Sequence, residues 1–142
     1  MASQVYFEDV SVGDEIPALL KSCSTQQLVM WAAASGDFYQ IHYDVEFARN
    51  TGLDGIIVHG ALKHAFLGQL LHDWMGPGGT LRRFDCQYRG MDYPNQEILC
   101  RGVVTRTYEE GGQALVDLDI WTENAAGKKT TPGTATVMLP RR

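Results

Sequence analysis

The chain has 142 residues, 44% apolar and 20% charged, enough to bury one core and unlike the composition of a disordered segment. A net charge of −5 without a lysine or arginine tract gives no footprint for nucleic acid or an anionic membrane. Cys23, Cys86 and Cys100 are odd in number, widely spaced and lack a CxxC pattern, so neither a disulfide framework nor a zinc site is indicated, and reduced core thiols are expected.

The N-terminal residues show no basic region followed by an apolar run, and no stretch of about 18 apolar residues could span a bilayer, so a cytoplasmic protein is expected. A turn-rich opening, Phe7 to Glu15, leads into a first strand over Ile16 to Cys23, where Pro17 suits a sheet edge or strand start. Ser24 and Gln27 have capping-box spacing, and Leu28, Val29, Trp31 and Ala32 form an apolar stripe. A helix is therefore predicted from Thr25 to Ala34, stopping at Gly36. Residues 37–43 read as a loop. Asp44 is the N-cap of a short helical turn carrying Val45, Phe47 and Ala48, ended by Asn50 and Gly52.

From Gly60 to about Met75, Ala61, Leu62, Ala65, Phe66, Leu67, Leu70, Leu71 and Trp74 cover well over half the helical circumference, which predicts a buried helix. After Gly76-Pro77-Gly78-Gly79 the spacing changes to alternation, as in Val116-Asp117-Leu118-Asp119-Ile120. Turn signals at Pro94-Asn95, Glu110-Gly111-Gly112 and Asn124 to Gly127 divide this half into four runs, about 80–92, 96–109, 113–123 and 129–139. Short connections imply antiparallel neighbours. The class is α+β in a single domain over 1–142. Periodicity alone leaves open whether the sheet wraps the helix or lies flat beneath stacked helices.

Asp37 and His42 lie five apart on the loop between helices, and Ile56-Ile57-Val58-His59-Gly60 leads into the buried helix. An acid, an imidazole and a helix N-terminus are what moving a proton beside a developing negative charge requires. Gly60 begins that helix, where backbone N–H groups lack partners and the missing side chain admits a close approach. His64, Gly68 and His72 fall on one stripe; without a carboxylate partner the stripe is read as packing or solvent-facing, not as a metal site.

The run Ser35-Gly36-Asp37 with His42, Asp44, Phe47 and Ala48, then Val58-His59-Gly60, together with the opening Phe7-Glu8-Asp9-Val10 and Val12-Gly13-Asp14, resembles the MaoC-like (R)-specific enoyl-CoA hydratases over most of the chain. The resemblance implies a hot-dog fold, an antiparallel sheet wrapped around a long central helix. It implies reversible hydration of a trans-2-enoyl-CoA or acyl-carrier thioester to a (3R)-3-hydroxyacyl thioester in fatty acid or lipid metabolism. By resemblance, Asp37 and His42 hold and activate the water, and Gly60 occupies the oxyanion position. No metal or other cofactor is implied beyond coenzyme A as part of the substrate, and the partner expected is another hot-dog subunit in a homodimer, heterodimer or higher oligomer.

The chain departs from the family pattern in two places. Tyr39-Gln40 stands where an Asn-Pro is usual, and Gly68 stands where a serine commonly faces the site, which suggests space for a bulkier acyl group. His59 reads as structural, bonding locally to fix the loop. Arg82, Arg83, Arg89 and Arg101, with Lys63, are the cations available to the phosphates of coenzyme A. The rival readings are a hot-dog acyl-CoA thioesterase, which usually carries its carboxylate on the central helix, and one subunit of a heteromeric hydratase with a degenerate partner. The helix here has no acid before Asp73, which favours hydration over hydrolysis.

Overall fold

Alternating apolar residues in the second half of the chain and an apolar helix in the first can satisfy each other only by packing face to face, and the structure shows how. The structure, a computed structural model, describes residues 3–142. In chain order the elements are a 3₁₀ turn (Phe7–Asp9), β1 (Leu19–Ser22), α1 (Thr25–Ser35), a second 3₁₀ turn (Gln40–His42), α2 (Val45–Asn50), α3 (Gly60–Met75), β2 (Thr80–Cys86), β3 (Glu97–Glu110), β4 (Gln113–Asn124) and β5 (Lys129–Met138). The five strands form one antiparallel sheet in the order β1-β3-β4-β5-β2. The sheet curls around α3, which touches β2, β3, β4 and β5, giving the hot-dog fold.

Period-two patterning decides which sheet face meets the helix. Ile98, Cys100 and Val104 on β3, Val116, Leu118 and Ile120 on β4, and Ala135 and Val137 on β5 are buried against Leu67, Leu70 and Leu71 of α3. The outward face carries polar pairs: Asp117 accepts from the hydroxyls of Thr136 (2.7 Å) and Tyr108 (3.2 Å), and Arg101 pairs with Glu123 at 2.9 Å. Register shifts between Val104 and Arg106 on β3 and between Leu81 and Arg83 on β2 add an unpaired residue, which raises local twist and helps the sheet curl.

Several element boundaries follow from local chemistry. Ser24 Oγ accepts from Gln27 N–H at 3.1 Å to start α1, and Gly36 ends it in the left-handed conformation at φ 77°, which a side chain would strain. Asp44 Oδ1 caps α2 by accepting from Phe47 N–H at 3.0 Å. The first strand is shorter than its predicted span, leaving Pro17 outside it, and β1 lies at the sheet edge.

Other expectations are corrected. Within α1, Leu28 and Ala32 are buried but Val29 faces solvent. Along α3, Ala61 and Ala65 also lie outside the core, so the helix is wrapped on one side and keeps an exposed stripe. The predicted strand 80–92 ends at Cys86, and β2 pairs with β5 rather than with its sequence neighbour β3. The ten residues 87–96 carry the chain from β2 at one sheet edge across to β3, which lies next to the opposite edge strand β1, and they pass the N-terminal end of α3 on the way.

Leu67 lies at the centre of this packing with no solvent exposure. Leu67→Ala removes about three methylene equivalents and leaves a cavity, and is expected to lower unfolding free energy by about 2–5 kcal/mol. Urea denaturation of parent and variant measures the difference; a loss below about 1 kcal/mol would mean that the core is organised around other residues.

Candidate active site

The approach to α3, residues 57–59, runs through the interior without a strand beside it, so its backbone groups need other partners. Ile57 N–H donates to the Ile41 carbonyl at 3.0 Å, and the Ile57 carbonyl accepts from His42 Nδ1 at 2.8 Å. Val58 N–H donates to the Asp92 carbonyl at 2.8 Å. Two distant segments are thereby drawn to the first residue of α3, Gly60.

Because a carbonyl only accepts, His42 Nδ1 carries a hydrogen and the neutral ring presents the Nε2 lone pair on its other side. Asp37 Oδ2 lies 3.8 Å from that Nε2, with side chains 45% and 8% exposed for Asp37 and His42 respectively. The gap is too long for a direct hydrogen bond and short enough for one water molecule to touch both groups. Asp37 is oriented from its own loop: its N–H donates to Ser35 Oγ and its Oδ1 accepts from Tyr39 N–H, both at 3.3 Å.

His59 supports the pair from below. Its ring stacks on His42 at 3.8 Å between centroids and 20° between planes, and its Nε2 donates to the Asp37 carbonyl at 3.2 Å. The residue is fully buried, and Nδ1 has no partner among the described residues. Burial, with the neighbouring His42 ring adding to it, holds the His59 pKa below the ordinary imidazole value. His59 thus fixes the loop, as its place beside Gly60 suggested. Asp37, His42 and His59 bring one ligand atom each within 4.8 Å, but the in-plane lone pairs of two stacked rings run side by side rather than converging on one ion.

Gly60 opens α3 without a side-chain cap. A Cβ there would fall 2.5–2.7 Å from three ring carbons of Tyr88, so the missing side chain is what lets that ring lie against the helix start. A cleft of ≈ 310 Å³ opens at this point, bordered by His42, Gly60, Lys63, Tyr88, Arg89 and Met91. The three residues singled out in the sequence are therefore gathered: Asp37 and His42 face each other, and Gly60 shares the cleft with His42.

Three expectations around the site change. Lys63 is not a surface cation: its Nζ lies 2.9 Å from Asp92 Oδ2, with both side chains 2% exposed, and it also donates to the Gly90 carbonyl at 2.8 Å. Asp92, whose partner lies 29 residues away on another element, carried no local signal. Arg83 pairs with Asp85 and Arg101 with Glu123, and of the four arginines it is Arg89 that borders the cleft, alongside the buried Lys63. The space left by Gly68 is bounded by Phe84, whose ring a Cβ would meet at 3.4 Å and which itself stacks on His64 at 4.0 Å. A larger acyl group reaching Gly68 would lie against that ring.

Tyr39-Gln40 forms the turn without proline. The second 3₁₀ turn begins at Gln40, His42 N–H donates to the Tyr39 carbonyl at 3.1 Å, and the Tyr39 ring packs edge-on against His42 and Phe47.

Comparison with known proteins bears on the family and the fold. Residues 9–122 match the family described as MaoC like domain. The chain is 28% identical to an (R)-specific enoyl-CoA hydratase of Rhodospirillum rubrum, over 96% of this chain and 93% of that protein. A stretch of 99 residues is 34% identical to the fatty acid synthase beta subunit TOXC of Cochliobolus carbonum, covering 68% of this chain and 5% of that much longer protein. The solved structure of the (R)-hydratase from A. caviae involved in PHA biosynthesis superposes with a TM-score of 0.85 at 25% identity, over 94% of this chain and 99% of that one.

The buried His59 gives the protein a pH-dependent stability of defined sign. With its folded pKa below the ordinary value of about 6.5, the unfolded state takes up the proton first as pH falls, so stability is lost progressively below about pH 6.5 and levels off once the folded pKa is passed. In His59→Gln the drop in urea midpoint between pH 7.5 and pH 5 is expected to be smaller than in the parent. An equal drop in both would show that His59 does not titrate in this way.

Proposed function

The chain belongs to the MaoC-like domain family, and from that membership we propose that it is a hydro-lyase for 2-enoyl thioesters, adding water across the C2–C3 double bond to give a (3R)-3-hydroxyacyl thioester and running the reverse dehydration at the same site. The observation that carries this reading is the 3.8 Å separation of Asp37 Oδ2 and His42 Nε2, with the His42 tautomer set by Ile57, beside the start of α3.

In the forward direction a water molecule sits between Asp37 and His42. The Nε2 lone pair takes one proton as the water oxygen bonds to C3 of the enoyl group. Charge moves through the conjugated system onto the thioester oxygen, which the Gly60 N–H meets with the α3 dipole behind it. The proton on Nε2 then passes to C2, restoring the neutral imidazole, so that hydroxyl and hydrogen both come from the one water. A positioned general base supplies about 10²–10⁴-fold, and an oxyanion donor contributes about 3–4 kcal/mol of barrier lowering. Asp37 orients the water from the solvent side, and neither metal nor redox cofactor enters the reaction.

The substrate class follows the relatives. Similarity along nearly the whole chain to an (R)-specific enoyl-CoA hydratase supports a coenzyme A thioester, and similarity to part of a fatty acid synthase subunit keeps an acyl-carrier thioester within the same reading. Arg89, whose side chain borders the cleft, is the cation we match with a coenzyme A phosphate. Phe38, Tyr39, Tyr43, Tyr88 and Met91 expose large apolar side chains on the segments that bear or border the site, which favours function as a pair of hot-dog subunits over function as a monomer. No described helix is long and apolar enough to cross a membrane.

Asp37→Asn and His42→Ala are each expected to lower turnover of crotonyl-CoA, followed by loss of conjugated-thioester absorbance, at least about a hundredfold, with circular dichroism unchanged. Near-parental rates in either variant would remove the mechanism. Release of free thiol from saturated acyl-CoA, measured alongside, would instead identify a thioesterase.

A further inference from the structure

The buried pair Lys63–Asp92 plays no part in the reaction above, and stability alone explains its place poorly. Lys63 lies in the first turn of α3, where the helix dipole disfavours a cation. A pair withdrawn this far from water is often no more stabilising than two apolar side chains of similar volume. What the pair holds is the segment after β2. Lys63 Nζ grips the Gly90 carbonyl and the Asp92 carboxylate, and Val58 N–H holds the Asp92 carbonyl. From the other side, the N–H groups of Arg89 and Gly90 donate to the Thr130 carbonyl at 3.0 and 2.9 Å. Although it belongs to no strand, the segment is clamped between β5 and the start of α3.

The clamped segment carries Tyr88. That side chain is 58% exposed, so packing of its own does not fix it, yet its ring lies against Gly60. We propose that Lys63 and Asp92 are positioning residues, which hold the Gly90 backbone so that the Tyr88 ring forms one wall of the slot beside the Gly60 amide. Neither side chain need touch the substrate; each acts through the placement of Tyr88. The catalytic consequence rests on the hydratase reading, whereas the placement of the ring does not.

The two parts are separable by experiment. A ring against Gly60 shifts the NMR signals of the Gly60 α-protons upfield, and Tyr88→Leu identifies how much of the shift the ring causes. Lys63→Met/Asp92→Leu keeps the buried volume while removing both charges, and Asp92→Asn keeps the shape and serves if the double variant does not fold. Each folded variant is expected to lose most of the Tyr88-dependent shift and to lower kcat on crotonyl-CoA about tenfold, with KM changed by less than about threefold. A shift retained in full overturns the proposal whatever the rate, and so does an unchanged kcat. If the parent hydrates no enoyl thioester, the hydratase reading fails, and the α-proton shift by itself still decides whether the pair sets the ring.

Discussion

The structure depends on one constraint: the extended approach to α3 is interior chain with no strand alongside, and its polar groups must nevertheless be bonded. Ile57 and Val58 meet that demand with partners from opposite directions, Ile41 and His42 on one side and Asp92 on the other. Satisfying those backbone groups brings the loop bearing Asp37 and the segment bearing Tyr88 to the same helix end. The site is assembled by hydrogen-bond accounting before any demand of catalysis is considered.

The two stacked histidines divide the work that follows. His59, buried and disfavoured as a cation, has its Nε2 hydrogen committed to the Asp37 carbonyl and forms a fixed neutral floor. His42 has its Nδ1 hydrogen committed to Ile57, so its remaining nitrogen is the one turned toward Asp37. Asp37 remains half exposed above it. A rigid imidazole beneath a solvent-reachable carboxylate suits a reaction in which water is the co-substrate and must be renewed at each turnover.

The departures from the family pattern show how the same shape is reached with other residues. A proline would preset the turn before His42; here a 3₁₀ turn and the edge-on packing of Tyr39 between His42 and Phe47 do so. At Gly68 the lost side chain is answered by Phe84 from β2, with His64 stacked on its ring. Substitutions that seem to loosen or empty a site when read one at a time are compensated across elements.

What the chain determined by itself is what depends on neighbours in sequence. The caps at Ser24 and Asp44, the stop at Gly36, the span of α3 and the alternation on β3 to β5 are local matters of hydrogen bonding and periodicity, and each was legible. Asp37, His42 and Gly60 were legible as a group because their residue types and spacing carry the family resemblance. Tertiary structure alone decided the rest. That β2 would pair with β5 and that Lys63 would be buried against Asp92 depend on contacts between residues far apart in the chain, as does the curl of the sheet, which periodicity left open and only the family resemblance implied. No local periodicity encodes these pairings: a lysine in a first helical turn looks solvent-exposed until the fold brings a carboxylate 29 residues away to meet it.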